Sequence, residues 1–187
     1  MQRKITVLKE KYKFIHLTGS IKFLLKGLIL YIAWIFLYEL FIKPNNWIDP
    51  WLTNLVSRQS VMIIRLIGFN TTHKIIATGN VLFNGNIPVL RIAYLCDGLI
   101  LYVIFLIFLI SFPGPIKHKA WFIPVGFIVI YLANLLRVVA LVIIQINAPE
   151  HLEFNHKYTF TMLVYGFIFL LWIIWVRLFS SKSSQPA

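Results

Sequence analysis

The sequence predicts an all-α integral membrane protein, a bundle of about four transmembrane helices with an interfacial helix and a small outer β-hairpin. The first observation is composition: 59% of the 187 residues are hydrophobic, 16% are aromatic and the mean hydropathy is +0.81, which is too apolar for a soluble domain. The second is that four apolar runs are long enough to cross a bilayer, at residues 23–42, 96–112, 121–146 and 158–179. The third is that most of the lysines and arginines flank these runs. This placement indicates that they orient the protein in a membrane, and no nucleic-acid partner is expected.

The first apolar run is predicted to remain in the protein as an uncleaved span. It is about as long as a hydrocarbon core requires, is longer than the core of a signal peptide, and lacks a small-residue cleavage pattern after it. A basic segment at residues 1–22 precedes it, Lys117 and Lys119 lie in the loop between the second and third spans, and Arg177 and Lys182 close the last span. Positive residues mark the cytoplasmic side, so both termini are expected inside, in a multi-pass protein of the cytoplasmic (inner) membrane. The polar tail at residues 180–187 is expected to be disordered.

The segment at residues 43–95 is expected to face outward and to contain two kinds of structure. Residues 51–69 have apolar side chains at helical spacing, interrupted by Arg58 and Arg65, which favours an interfacial helix, with a re-entrant helix as the alternative. From residue 74 to residue 92 the pattern changes to short apolar runs around an Asn84-Gly85 turn. A hairpin or a three-stranded meander should therefore lead directly into Cys96.

Three chemically unusual residues are expected at the outer ends of the spans. Cys96 opens the second span, Arg137 lies about two and a half turns below the outer end of the third, and His156 opens the fourth. A thiol beside a guanidinium and an imidazole favours nucleophilic chemistry, with the imidazole as general base. Purely structural roles stay open as alternatives, with Cys96 as an inert buried thiol and Arg137 as a structural cation. An arginine within a span nevertheless usually has a function.

Four further residues are candidates for support of this site. Asp97 adjoins the thiol and would oppose its ionisation unless it points away to hold the arginine or the histidine. Gly98 would relieve crowding where the helix begins. Asn134, one turn from the arginine on the same helix face, could orient it. His151, in the same outer loop as His156, competes for the role of base.

The sequence argues against a metal and against a nucleotide cofactor. Cys96, Asp97, His151 and His156 are ligand types, but no pair among them has the spacing of a metal motif. There is no phosphate-binding glycine loop and no dinucleotide fingerprint, so no cofactor is expected.

Three short motifs together resemble the exosortase and archaeosortase family of membrane transpeptidases. They are Tyr94-Leu95-Cys96-Asp97-Gly98-Leu99, Asn134-Leu135-Leu136-Arg137 and Asn155-His156-Lys157-Tyr158, each at or within one of three successive spans. The resemblance covers about residues 90 to 178. The compact size is similar to the short exosortase variants of Bacteroidota.

The resemblance implies that Cys96, Arg137 and His156 are catalytic and that the site faces the periplasm or exterior. It also implies membrane-anchored protein substrates, cleaved at a C-terminal sorting signal through a cysteine thioester and transferred to an acceptor. The chain departs from the family in having fewer spans and in having Asp97 where a small residue is usual. Two other functions stay open: a non-enzymatic assembly factor or carrier, and a transferase acting on lipid-linked acyl or glycosyl groups. The substrate motif, the acceptor and the oligomeric state are left open.

Overall fold

A computed structural model describes the backbone of residues 2–45 and 47–180 and the side chains of residues 19–45, 47–94 and 96–179. The tail at residues 181–187, predicted to be disordered, lies outside the described residues. The described backbone forms seven α-helices and three strands, in the order α1 (Gln2–Leu37), α2 (Lys43–Asn45), α3 (Ile48–Leu66), β1 (Thr71–Ile76), β2 (Gly79–Asn84), β3 (Ile87–Ala93), α4 (Leu99–Ser111), α5 (Ile116–Asn147), α6 (Leu152–Phe154) and α7 (Phe160–Trp175). A π-helical turn, Tyr38–Ile42, joins α1 to α2, and a 3-10 turn, Tyr94–Cys96, precedes α4.

The fold class predicted from the sequence is confirmed, since the described chain is mainly helical with one small sheet. Among the described residues, three helical segments are long and apolar enough to cross a membrane, at Gly19–Asn45, Ile116–Asn147 and Pro149–Phe179. The fourth apolar helix, α4, has 13 residues and so is about 20 Å long, shorter than the ~30 Å of a hydrocarbon core. Its left-handed Gly98 and the 3-10 turn before it explain the shortening, because the chain leaves helical geometry at the outer end.

Helices α4, α5 and α7 form the core of the membrane bundle. Their buried side chains make one aromatic-rich cluster that includes Phe105, Ile130, Ile168 and Trp175. Gly126 of α5 lies directly against the Phe105 ring, where a Cβ would collide with it. This close contact brings α4 and α5 together along their length and therefore holds the outer ends of both helices in one place.

Helix α1 lies at the edge of this bundle and packs on α4. The Phe23 ring meets Phe108 and Phe112 edge to face, and Lys26 Nζ donates to the Ile110 carbonyl at 2.9 Å. Lys119 Nζ donates to the Phe112 carbonyl at 2.7 Å. Two lysines thus bind the last carbonyls of α4, which have no partners within the helix.

A second layer, made of α3 and the sheet, lies against the C-terminal half of α5. The sheet is an antiparallel meander in the order β1-β2-β3, so it has one strand more than a hairpin, with Thr71 opposite Asn84 and Gly79 opposite Ala93. Val56 and Ile64 of α3, Leu82 of β2 and Val142 of α5 are fully buried in the cluster between them. The helix predicted at the interface therefore buries one face on protein, and this layer fixes the 3-10 turn that carries Cys96.

Candidate functional site

The turn that carries Cys96 is held from the side by Asn134 of α5. The Asn134 side-chain amide, fully buried, donates to the Asp97 carbonyl at 2.9 Å and lies 3.5 Å from the Cys96 carbonyl. A residue expected to orient Arg137 thus binds the backbone of the cysteine turn. Asn134 lies three residues before Arg137 on α5, so the same short stretch of helix contacts the cysteine turn and carries the arginine.

Gly98 is required by the geometry of this turn. Its φ of +93° is a left-handed conformation that L side chains rarely adopt. A Cβ at this position would stand 3.0 Å from Asn134 Nδ2, which is tighter than an ordinary contact. Glycine therefore permits both the sharp entry into α4 and the close approach of the Asn134 amide.

Arg137 and His156 meet across the gap between α5 and the start of the last span. Arg137 Nη2 lies 3.4 Å from His156 Nε2. A guanidinium has donors only, so this contact is a hydrogen bond only when Nε2 carries its lone pair and Nδ1 carries the ring proton. The contact is therefore a hydrogen bond only for a neutral imidazole, and in that state Arg137 donates to the Nε2 lone pair.

His156 belongs to a π-helical turn, Asn155–Thr159, that opens the last span. Thr161 Oγ1 donates to the His156 carbonyl at 3.0 Å, and Asn155 Nδ2 donates to the His151 carbonyl at 2.9 Å. Such turns displace one residue from the regular helical spacing and are common at functional sites. In this protein the π-helical turn Asn155–Thr159 is the element that carries the His156 imidazole.

A cavity of about 190 Å³ opens beside Arg137. Gly98 and Leu101 of α4 form one wall, and Thr161 and Tyr165 of α7 form the other. The guanidinium is therefore next to open space that could hold a polar group of a bound molecule. Sequence reasoning missed Thr161 and Tyr165; their four-residue spacing at the start of an apolar span was the available signal.

The Cys96 thiol is half-buried and packs against the apolar cluster of the outer layer. The hydrogen bonds of the described residues join Arg137 to His156 and Asn134 to the cysteine turn, but none of them includes the Cys96 sulfur. The structure thus positions the turn and the Arg137–His156 pair without a hydrogen bond to the thiol.

Asp97 points away from Arg137 and His156 and toward a second carboxylate. Its Oδ1 accepts the Leu99 backbone N–H at 2.8 Å, whereas its Oδ2 is buried without a partner among the described residues. Burial, opposed by the Leu99 N–H and assisted by the neighbouring Asp49 carboxyl, raises the pKa of Asp97 to about 8. Tyr38 donates to Asp49 Oδ2 at 3.0 Å. Sequence reasoning missed Asp49, an acid within an otherwise apolar helix start.

The remaining candidates lie apart from this centre. His151 is exposed and its Nε2 lies 3.7 Å from Glu150, so the structure brings His156 and not His151 to Arg137. His73 lies on β1 of the outer sheet, where burial and the nearby Arg58 and Arg65 lower its pKa. Within the part of the chain that the structure describes, no group of three His, Cys, Asp or Glu side chains could hold a metal ion.

Comparison with known proteins agrees with the three motifs. A family model described as transmembrane exosortase matches residues 14–177, which is most of the chain. No curated protein and no solved structure matches it. The matched range includes the cysteine turn, the arginine of α5 and the histidine of the π-helical turn. The chain therefore belongs to the transmembrane exosortase family.

Proposed function

We propose that this membrane exosortase is a cysteine transpeptidase or peptidase in which Cys96 is the nucleophile, His156 the general base and Arg137 the stabilising cation. The 3.4 Å approach of Arg137 to His156 carries the proposal. A half-buried guanidinium and an exposed imidazole from separate spans meet here, beside a cavity and one helical turn from the residue that holds the cysteine turn.

The tautomer that can accept a hydrogen bond from Arg137 gives each group a role. In that tautomer Nε2 carries the one ring lone pair that can take the thiol proton, so proton transfer requires Nε2 to exchange the Arg137 donor for the thiol. Arg137 would therefore stabilise the thiolate where it forms and the oxyanion that follows its attack on a carbonyl. Charge stabilisation of that kind is worth a few kcal/mol in a poorly hydrated site.

The reaction balances in two steps. The Cys96 thiolate attacks the scissile carbonyl, the C–N bond breaks, and the leaving amine takes the proton from His156, which leaves a thioester on the enzyme. An acceptor nucleophile then attacks the thioester, its proton passes to His156, and the C–S bond breaks to restore the thiolate. With water as the acceptor the same steps give proteolysis.

The substrate we propose is a membrane-anchored protein with a C-terminal sorting signal made of a short motif, a hydrophobic helix and a basic cluster. The orientation we propose places both termini in the cytoplasm and the site outside the inner membrane. Lys26 and Lys119 support it, since both bind the end of α4 remote from the cysteine turn. A tail crossing the membrane beside the bundle would then present its scissile bond at the outer surface.

The test is processing of a co-expressed membrane-anchored protein that carries such a tail. Wild-type protein should shorten it, whereas Cys96→Ala, Arg137→Lys and His156→Gln should each leave it uncleaved while inserting normally in the membrane. His151→Gln is the matched control, because it removes an outer histidine that does not meet Arg137. A hydroxylamine-sensitive adduct between enzyme and substrate should accumulate when the acceptor is limiting. Full processing by Cys96→Ala would end the proposal.

A further inference from the structure

A second cavity, of about 240 Å³, lies on the other side of the cysteine turn, between α1, the start of α3 and the start of α4. Asp49, Asp97 and Glu39 all line it. The chain has six acidic residues and a net charge of +12, so half of its acids meet in this one place. Such a concentration in a basic protein requires a reason, because like charges gathered in a poorly hydrated site repel one another.

The carboxylates of this cavity lack cations of their own. Glu39 at the rim is paired with Lys43 at 2.7 Å, but no lysine, arginine or histidine in the described part of the chain forms an ion pair with Asp49 or Asp97. Asp97 is 1% exposed and its Oδ2, which has no hydrogen-bond partner there, belongs to a side chain that lines the cavity. A buried acceptor without a donor is costly, and a bound donor would remove the cost.

Aromatic side chains form much of the remaining wall. Tyr31, Trp34 and Tyr38 of the first span line the cavity together with Tyr94. Aromatic faces attract cations, and Tyr38 is already oriented by its bond to Asp49. Carboxylates and aromatic rings together are the lining that an ammonium group requires.

An apolar groove of about 510 Å³ adjoins this cavity and shares Trp34 and Leu99 with it. Its walls come from α1, α3, α4 and α5, and along α4 it extends from Leu99 to Leu106, about 10 Å into the membrane span. The lining is almost wholly hydrocarbon and aromatic. The two spaces therefore combine a small acidic end near the outer surface with a long apolar path toward the bilayer centre.

We propose that the acidic cavity and its groove bind a membrane lipid with a primary ammonium head group. The ammonium takes the place of the proton that Asp97 otherwise holds at neutral pH, which is released to solvent, and donates to the Asp97 Oδ2 atom, while an acyl chain lies in the groove. A primary ammonium fits better than a quaternary one, because the unpartnered oxygen needs an N–H donor. The lipid would fill the space between α1 and the rest of the bundle. This site is separate from the Arg137 cavity and does not depend on transpeptidation.

The experiment uses the full chain in nanodiscs made of equal parts phosphatidylethanolamine, phosphatidylcholine and phosphatidylglycerol. After transfer to mild detergent, the retained lipids are identified by mass spectrometry. We expect retention of phosphatidylethanolamine over the other two, and a decrease of about tenfold in Asp97→Asn, which corresponds to the loss of one charge-assisted hydrogen bond. Glu153→Gln, an exposed acid in the outer loop, is the matched control and should retain the lipid.

A second variant tests the groove without touching the acids. Leu106→Trp narrows the apolar path and should lower retention while the protein keeps its helical content. Soluble ethanolamine, which has the head group without the chains, should not displace the lipid. Equal retention of the three lipids, unchanged retention in Asp97→Asn, or displacement by ethanolamine would each overturn the proposal. None of these results bears on processing by Cys96.

Discussion

Replacing Asp97 with asparagine, which does not titrate, should change how the stability of the protein depends on pH. The carboxyl is buried, and its pKa is about 8 where the ordinary value is 3.8. Below pH ~4 the group is protonated in the folded and unfolded chains alike, so it does not affect the free energy of unfolding. Between about 4 and 8 the folded chain keeps a proton that the unfolded chain has lost. Raising the pH through this window therefore favours unfolding, and above about 8 the loss is complete.

The size of the effect follows from the two pKa values. A difference from 3.8 to about 8, at ~1.36 kcal/mol for each pKa unit, corresponds to about 6 kcal/mol of stability lost by pH 8.5. For a chain of this length, each kcal/mol changes the melting temperature by about 2–4 °C, so the expected decrease is at least about 10 °C. His73 has the opposite sign, because its lowered pKa makes the folded state gain stability as the pH rises. It is present in both proteins and cancels when they are compared.

The measurement is thermal unfolding in detergent at pH 4.5, 6, 7 and 8.5, for wild type and Asp97→Asn. Asparagine keeps an oxygen that can accept the Leu99 N–H, so the helix start is preserved. The melting temperature of the variant should exceed that of wild type by a margin that grows with pH. Glu153→Gln should follow wild type. Parallel curves for wild type and Asp97→Asn would refute the assignment of a protonated Asp97 at neutral pH.

Two further predictions concern the candidate site. Gly98→Ala should lower the free energy of unfolding by about 1–2 kcal/mol, because alanine rarely adopts the left-handed conformation, and chemical unfolding measures this loss. The same variant should slow processing in a cleavage assay, because the new Cβ displaces the Asn134 amide. Unchanged stability and processing would contradict the geometry of the turn. His156→Gln should reduce the rate of processing by about 100-fold or more, as expected for loss of a general base, whereas His151→Gln should leave it unchanged; equal losses would mean that the contact with Arg137 does not identify the base.

The membrane bundle and the outer sheet could be predicted because each depends on a strong local signal. Apolar runs of sufficient length define spans regardless of what packs on them, and Asn84-Gly85 between short apolar runs defines a tight turn between β2 and β3. The meeting of Arg137 and His156 was predictable for a related reason. Arg137 is costly within a span, so it was expected to have a partner or a function, and His156 was expected at the same membrane surface; their contact satisfies both expectations.

The partners of Asp97 and Asn134 could not be predicted from the same signals. Which acid faces Asp97 depends on how α3 sits against the start of α4, and sequence spacing carries no information about two residues 48 positions apart. Asn134 shares a helix face with Arg137, so proximity alone favoured a contact between them. The buried carbonyls of the cysteine turn compete for the same amide, and a buried carbonyl without a donor costs more than an arginine that can reach a histidine.

Helix α5 connects the two halves of the candidate site, and this connection has a mechanistic consequence. Asn134 binds the backbone that carries Cys96, the proposed nucleophile, and Arg137, three residues later, meets His156, the proposed base. A shift of α5 along its axis would therefore move the cysteine turn and the Arg137–His156 pair together. What remains variable is the rotamer of the half-buried thiol and the position of His156 on its π-helical turn. Catalytic hydrogen bonds commonly tighten only when substrate binds. Under the proposed function, a carbonyl that accepts from Arg137 in the cavity beside Gly98 would free the lone pair of His156 Nε2 for the Cys96 thiol, so substrate binding would complete the hydrogen bond between the proposed nucleophile and the proposed base.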